Sequence, residues 1–312
     1  MKNNLNNKLV LANTEYSLLL YLLIDRDWKT ADYILLTNND KLVFKLKFYG
    51  CNVLIHTRLY LTSNYLFFSK LKFVISILFN LLKLYSNKHE YLIVYGNDDL
   101  TYARPFRKNN FHIIEDGTIN YYSEEEIVNQ KKVFLSKYIP KKILDKIRFK
   151  YIPFGYNKCI SKVYLTNKDK VPSKIMDKVE VVNLKYLWSI CKYKDEIMQI
   201  FNFDHELLEK LKDNRYSILF PFSEFERNEI NERKIINRYK DAIKKSTSIV
   251  LIKPHRFDIL DYSKYFDKDL IIDRNIPFEL FILNDIRFDD IITFYDSSLL
   301  SHIEGSGDVV KY

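Results

Sequence analysis

Short apolar runs alternate with segments of helical periodicity through the first part of the chain. We interpret the runs as buried strands because they are rich in Leu, Ile and Val and are followed by Asn, Asp or Gly. Apolar residues spaced three and four apart predict amphipathic helices instead. The pattern predicts strands at 8–12, 31–36, 42–48, 52–56, 91–95 and 111–114, and helices at 16–24, capped by Thr14, and at 66–84.

The same alternation returns after a more helical and basic middle, residues 123–212, where Asp204 is the predicted cap of a helix at 205–211. Alternating strands and helices predict an α/β fold with largely parallel sheets. Two such halves predict two doubly wound, Rossmann-like domains facing a cleft, which we divide into residues 1–160 and 161–312. The second half contains predicted strands at 217–222, 248–253, 270–272 and 290–294, and predicted helices at 228–245, 278–283 and 299–303.

Glycine is scarce, with six residues in a chain of 312. No three of them share one short loop, so the G-x-G-x-x-G dinucleotide turn and the P-loop are both absent from the sequence. A kinase, a GTPase or an ordinary NAD enzyme is therefore disfavoured.

The net charge of +9 attracts anions such as nucleic acid, anionic lipid or nucleotide-linked substrates. RNA-recognition and zinc-finger spacings are missing, so nucleic acid is not an expected partner. The three cysteines lie far apart without a C-x-x-C pair, and the first residues show no signal-peptide pattern. These features favour a cytoplasmic location.

Strand ends carry the candidate chemistry, because ligands of open α/β sheets bind beyond the carboxyl ends of the strands. Glu115 and Asp116 follow the predicted strand at 111–114, and Gly117 allows a sharp turn there. A carboxylate in this place can take a proton from a substrate hydroxyl. A turn that caps a helix explains the same residues, so both interpretations stay open.

Two further groups follow strands in the second half. Lys253, Pro254 and His255 end one strand, and an imidazole there can bind a phosphate or protonate a leaving group. A histidine packed at a strand end is the alternative. Ser297 and Ser298 follow another strand at a predicted helix start, where hydroxyls and free N–H groups bind anions, although a simple serine N-cap gives the same pattern.

Two acidic positions carry weaker signals. Glu279 lies in the first turn of a predicted helix behind Pro277, where a carboxylate can bind ribose hydroxyls, but acidic residues are common in such turns. Asp98 and Asp99 resemble half of a metal site, and we interpret them as a solvated turn.

Taken in order, the letters E-D-G, K-P-H, P-F-E and S-S resemble the bacterial sialyltransferases of lipooligosaccharide and capsule biosynthesis, glycosyltransferase family 52. Those enzymes carry an acidic-Asp-Gly motif, a His-Pro motif and a Ser-Ser or Ser-Thr motif. The similarity extends to the opening strand and loop, which contain Asn13 and Thr14. One departure is Arg256, which follows His255 where the family usually has Pro, and it puts the shape of that loop in question.

The resemblance implies a GT-B fold and an inverting transfer of sialic acid from CMP-sialic acid to a terminal galactose of a surface glycan. It implies that Asp116 is the general base and that His255 stabilises or protonates the leaving phosphate. Ser297 and Ser298 would hold that phosphate and Glu279 the ribose, with no metal or other cofactor. Further expected contacts are Lys253 and Pro254 in the donor-binding second domain, and Glu115, Gly117, Asn13 and Thr14 in the first domain, on the acceptor side.

Two alternatives remain beside this hypothesis. One is a GT-B transferase that uses another nucleotide sugar. The other is a catalytically inactive protein that binds glycans or nucleic acid, for which the Arg256 departure is the main support. A homodimer and peripheral association with the inner face of the membrane are also open expectations.

Overall fold

The computed structural model describes residues 8–37, 39–57, 75, 79–136, 149–221, 232–256, 258, 260–294 and 308–311. The chain divides into two compact units, residues 1–191 and 192–312. Each unit is built on its own parallel sheet.

The first unit contains a seven-stranded sheet in the order β3-β2-β1-β4-β5-β6-β7. Every pairing in it is parallel, and the strand order reverses between β1 and β4, as in doubly wound Rossmann sheets. The strands are β1 Lys8–Ala12, β2 Asp32–Leu36, β3 Asn52–Thr57, β4 Ile93–Gly96, β5 Asn110–Ile114, β6 Ile160–Leu165 and β7 Val179–Val181.

Helices of the first unit begin at polar caps. Thr14 accepts a hydrogen bond from Ser17 N–H, as predicted, and Ser123 forms a capping box with Glu126. Residues 79–87 are helical, which agrees with the end of the predicted helix at 66–84, whereas residues 66–74 lie outside the described residues. The other helices are α1 Glu15–Ile24, α2 Asp40–Phe48, α3 Glu124–Leu135 and α4 Leu184–Ile190.

One predicted strand is wrong, because residues 42–48 belong to helix α2. Asn39 caps this helix by accepting a hydrogen bond from Leu42 N–H at 3.0 Å. Leu42, Val43 and Leu46 are buried on one helical face. The same letters also alternate apolar and polar residues from Phe44 to Phe48, so this part of the segment fits a strand as well.

The second unit contains a four-stranded parallel sheet in the order β11-β10-β8-β9. The predicted strand at 270–272 makes only an isolated bridge between Ile271 and Ile252. The predicted helix at 299–303 lies outside the described residues. The strands are β8 Tyr216–Leu219, β9 Ile249–Ile252, β10 Asp290–Thr293 and β11 Asp308–Lys311; the helices are α5 Lys194–Ile200, α6 His205–Lys212, α7 Glu232–Lys245 and α8 Glu279–Leu283.

Helices of the second unit begin at a polar cap or pack on the sheet through an apolar face. Asp204 caps α6 as predicted, through a hydrogen bond from Leu207 N–H. Helix α7 buries Ile235, Ile236 and Tyr239 in one cluster with residues of the sheet, while its other face is charged.

The boundary between the units lies later than the predicted division at 160/161. Strand β6 pairs with β5, and β7 pairs with β6, so both extend the first sheet. Hydrogen bonding across the sheet therefore keeps β6 and β7 in the first unit, which extends to Cys191. Within the described ranges, no helix is long and apolar enough to cross a bilayer.

Candidate active site

Three polar side chains meet at the carboxyl edge of the first sheet. Asn13 follows β1, Asn97 follows β4 and Asp116 follows β5, and these three strands are neighbours. Asp116 Oδ2 accepts hydrogen bonds from Asn13 Nδ2 at 2.8 Å and from Asn97 Nδ2 at 3.3 Å. This is where the strand order reverses, the usual ligand position in open α/β sheets.

The main chain around Asp116 is fixed as well. Asp116 N–H donates to Oδ1 of the fully buried Asn120 at 2.8 Å. Gly117 adopts φ +142° and ψ −162°, a region that is essentially restricted to glycine. A Cβ at Gly117 would meet no atom within 4 Å, so the backbone conformation and not space requires glycine. The predicted sharp turn after Asp116 is confirmed.

Glu115 has a different role from the predicted substrate contact. Its side chain is fully buried, and Oε2 accepts hydrogen bonds from Thr166 N–H at 2.6 Å and Tyr121 OH at 2.8 Å. Burial raises the pKa of this carboxyl, and the hydrogen bonds from Thr166 oppose the rise. Glu115 therefore ties the end of β5 to the loop after β6, because alternation turns it away from the side that Asp116 occupies.

Thr14, another predicted substrate contact, is engaged in capping α1. Its Oγ1 accepts from Ser17 N–H and donates to Ser17 Oγ, both at 2.9 Å. The hydroxyl thus serves the helix start beside Asn13.

Asp98 corrects the interpretation of a solvated turn. Its side chain is fully buried and accepts hydrogen bonds from Tyr151 OH at 2.6 Å and Phe154 N–H at 2.8 Å. Desolvation raises the pKa of Asp98 to about 6, against the lowering effect of these bonds and of nearby Arg107. Phe154 has φ +62°, so Asp98 holds a strained loop against the end of β4.

In the second unit, the K-P-H residues follow β9 and have unequal exposure. Lys253 is buried, and its Nζ donates to the Arg274 carbonyl at 2.9 Å. Pro254 is also buried, whereas His255 is exposed. The lysine ammonium therefore stabilises the loop at residue 274. Of the three side chains, the imidazole of His255 is the one that a ligand can contact from solvent.

A cavity of about 400 Å³ lies beside Pro254. Its lining combines apolar and charged side chains, among them Leu260, Ile272, Lys268 and Arg274. This mixture suits a ligand with a flat apolar ring and polar substituents.

Glu279 opens α8, as predicted, and is 8% exposed. Ser297 and Ser298 lie outside the described residues. Among the residues that are described, no three His, Cys, Asp or Glu side chains come together as a metal site requires.

Sequence reasoning missed Asn97, Asn120 and Thr166. Each is a single polar residue in a loop of many polar residues, so composition gives no reason to select it. The one available signal is position: Asn97 directly follows a strand that neighbours β1.

Two parallel α/β units of this kind are the architecture of the GT-B fold. The sequence matches the model described as "Glycosyltransferase family 52" over residues 18–307, and the chain belongs to that family. The family confirms the resemblance drawn from the four motifs, and the predicted fold class is confirmed with it.

Two comparisons complete this assignment. An uncharacterized protein of Haemophilus influenzae is 32% identical over 241 residues, which cover 76% of this chain and 74% of that protein. Among solved structures, S. aureus MnaA in its co-structure with UDP has a TM-score of 0.52 at 11% identity, covering 97% of this chain and 84% of MnaA. At that identity the second likeness concerns the fold alone.

Proposed function

We propose that this glycosyltransferase transfers sialic acid from CMP-sialic acid to a terminal galactose of a surface glycan, with inversion at the anomeric carbon. The observation that carries the proposal is Asp116, a partly exposed residue whose carboxylate Asn13 holds at the switch point of the first sheet, in a chain of family 52. The glycan is a lipooligosaccharide or a capsule, as the motif resemblance implies.

On the acceptor side, Asp116 acts as the general base. It takes the proton of the galactose hydroxyl while that oxygen bonds to the anomeric carbon of sialic acid. The bond from the same carbon to the phosphate oxygen of CMP breaks, so the leaving group departs with the electron pair.

On the donor side, His255 neutralises or protonates the departing phosphate. Its exposure supports this role, because the imidazole is accessible to a ligand. Ser297 and Ser298 hold the phosphate oxygens, and Glu279 binds the ribose. With the charge met by these groups, the transfer needs no metal ion.

The cavity beside Pro254 takes the nucleobase in this proposal. A volume of about 400 Å³ and a lining of apolar and polar groups suit a pyrimidine. MnaA was solved with UDP, which supports a nucleotide-linked donor for this fold and makes a UDP-sugar the second candidate.

The location we propose is the cytoplasm, with association at the inner face of the membrane where lipid-linked glycans are built. The net charge of +9 supports attraction both to an anionic leaflet and to an anionic donor.

The test compares Asp116→Asn and His255→Ala with two matched controls. His205 is another exposed histidine of the second unit, paired with Asp195, and Asp99 is an exposed aspartate of the first unit, paired with Lys131. We expect both site variants to lose transfer from CMP-sialic acid by about 100-fold or more, while His205→Ala and Asp99→Asn stay near wild type. Mass spectrometry of the product identifies the transferred sugar.

A nucleotide screen separates the two donor candidates. We expect CMP to raise the unfolding temperature and UDP, CDP and GDP to leave it unchanged, because a nucleotide stabilises the folded chain only if it binds to it. Stabilisation by UDP alone would replace the sialyl donor with a UDP-sugar.

Full transfer activity in Asp116→Asn would remove the carboxylate from the mechanism. Salt-sensitive oligonucleotide binding without donor turnover would favour the non-enzymatic alternative.

A further inference from the structure

Asn97 directly follows β4, and the end of that strand determines where the residue lies. Gly96 adopts φ +142°, and a Cβ there would lie 2.8 Å from Leu11 Cβ and overlap the Leu11 carbonyl oxygen. The two backbones thus approach more closely than any side chain at Gly96 would allow. This approach brings the next residue to the end of β1.

The orientation of the Asn97 amide is set by its own turn. Asn97 Oδ1 accepts a hydrogen bond from Asp99 N–H at 2.9 Å, an Asx turn. With Oδ1 engaged, Nδ2 faces Asp116 and donates to Oδ2 at 3.3 Å. Since Asn97 is 6% exposed, the amide has little room to rotate away.

A second amide reaches the same carboxylate oxygen from β1. Asn13 Nδ2 donates to Asp116 Oδ2 at 2.8 Å. Two donors on one oxygen fix the plane of the carboxylate.

The other carboxylate oxygen is in a different state. Asp116 Oδ1 is buried and accepts no hydrogen bond from any residue that the structure describes. An unsatisfied buried oxygen costs free energy, so the two amide hydrogen bonds to Oδ2 are what holds this carboxylate in place. The arrangement therefore distinguishes the two oxygens of Asp116.

We propose that Asn97 is a positioning residue for the general base: together with Asn13 it engages Oδ2 of Asp116 and fixes the carboxylate that receives the proton of the acceptor hydroxyl. The hydroxyl oxygen bonds to the anomeric carbon as its proton passes to this carboxylate, and the bond from that carbon to the donor phosphate breaks. This inference rests on the proposed function, since it assigns a role within that transfer.

The experiment compares Asn97→Ala and Asn97→Asp with the control Asp99→Asn. The control keeps the Asp99 N–H that orients Asn97, and the Asp99 side chain pairs with Lys131. We expect kcat to fall about 10- to 100-fold in Asn97→Ala, the size of a lost bond to a charged group, with KM for the donor within about twofold of wild type.

The split between kcat and KM distinguishes positioning from a merely structural role. We expect Asn97→Asp to lower kcat at least as much as Asn97→Ala, because its carboxylate cannot donate a hydrogen bond to Oδ2 and repels that oxygen, while KM for the donor stays within about twofold of wild type. The control should keep the wild-type kcat.

A wild-type kcat in both Asn97 variants, or a fall in kcat that is matched by a rise in KM for the donor, would overturn the proposal. Failure of the proposed function has a separate signature, in which the wild type transfers sugar from a donor other than CMP-sialic acid. The same kcat and KM values measured with that donor then still decide the role of Asn97, because the base acts on the acceptor.

Discussion

Burial of Asp98 predicts a specific pH dependence of stability. The carboxyl is fully buried at the end of β4, and its pKa rises from 3.8 to about 6 in the folded chain. The folded state therefore binds more protons than the unfolded state between these values, so this group lowers the free energy of unfolding as pH rises through them. Asp98→Asn removes the titration.

The magnitude follows from the two pKa values. The full effect is on the order of 3 kcal/mol, of which about 2 kcal/mol develops between about pH 4.5 and pH 7.5. The replacement suits the site geometry: the amide oxygen accepts from Phe154 N–H, and the amide nitrogen donates to the Tyr151 hydroxyl. As pH rises through that interval, we expect the free energy of unfolding of Asp98→Asn to increase by about 2 kcal/mol relative to that of the wild type.

Tryptophan fluorescence suits this measurement. Both tryptophans of the chain, Trp28 and Trp188, are buried in the first unit, which also contains Asp98. Urea unfolding followed by tryptophan fluorescence therefore reports the unfolding of the first unit.

Other groups also titrate in this range. Burial and nearby Lys162 lower the pKa of His112 to about 4, so His112 contributes stability above its unfolded pKa that is lost as pH falls towards 4. This contribution is common to wild type and variant and cancels in the difference. A difference that is constant with pH, or that shrinks as pH rises, would refute the linkage reasoning.

Two glycine predictions follow from the backbone angles. Gly117→Val and Gly50→Val should each cost about 1–3 kcal/mol of stability, since both positions have positive φ and open space. Only Gly117→Val should also lower turnover, by about 100-fold, because it displaces Asp116; equal turnover in the two variants would contradict this. Gly96→Ala should destabilise more than Gly50→Ala in fluorescence-detected urea unfolding, because its methyl group would overlap the Leu11 backbone, and equal unfolding midpoints would count against that close approach.

The fold class was predictable from the sequence because buried parallel strands are continuous apolar runs. The segment 42–48 shows the limit of this reasoning. Its letters fit periods of two and of 3.6, and what decides between them is burial of the helical face formed by Leu42, Val43 and Leu46, which depends on the rest of the fold. The predicted domain boundary lies too early for a related reason: the pairing of β6 with β5 cannot be read from the composition of the chain.

The candidate site was predictable where a motif sits at a strand end, as with Asp116 and Gly117. It was not predictable where the role depends on which way a side chain turns. Adjacent Glu115 and Asp116 have similar chemistry, yet one is buried against Thr166 and the other meets two amides. Asp98 was missed because burial of a carboxylate depends on a loop far along the chain.

The pairing of β5 with β6 has a practical consequence for dissecting the protein. A fragment ended at residue 160 would leave β5 as a sheet edge and would remove Thr166, the partner of Glu115. A shortened gene for the first unit therefore has to extend to Cys191. Such a product would retain both tryptophans, whose fluorescence would report its folding. A separately produced second unit would contain no tryptophan, and its nucleotide binding would be measured by calorimetry.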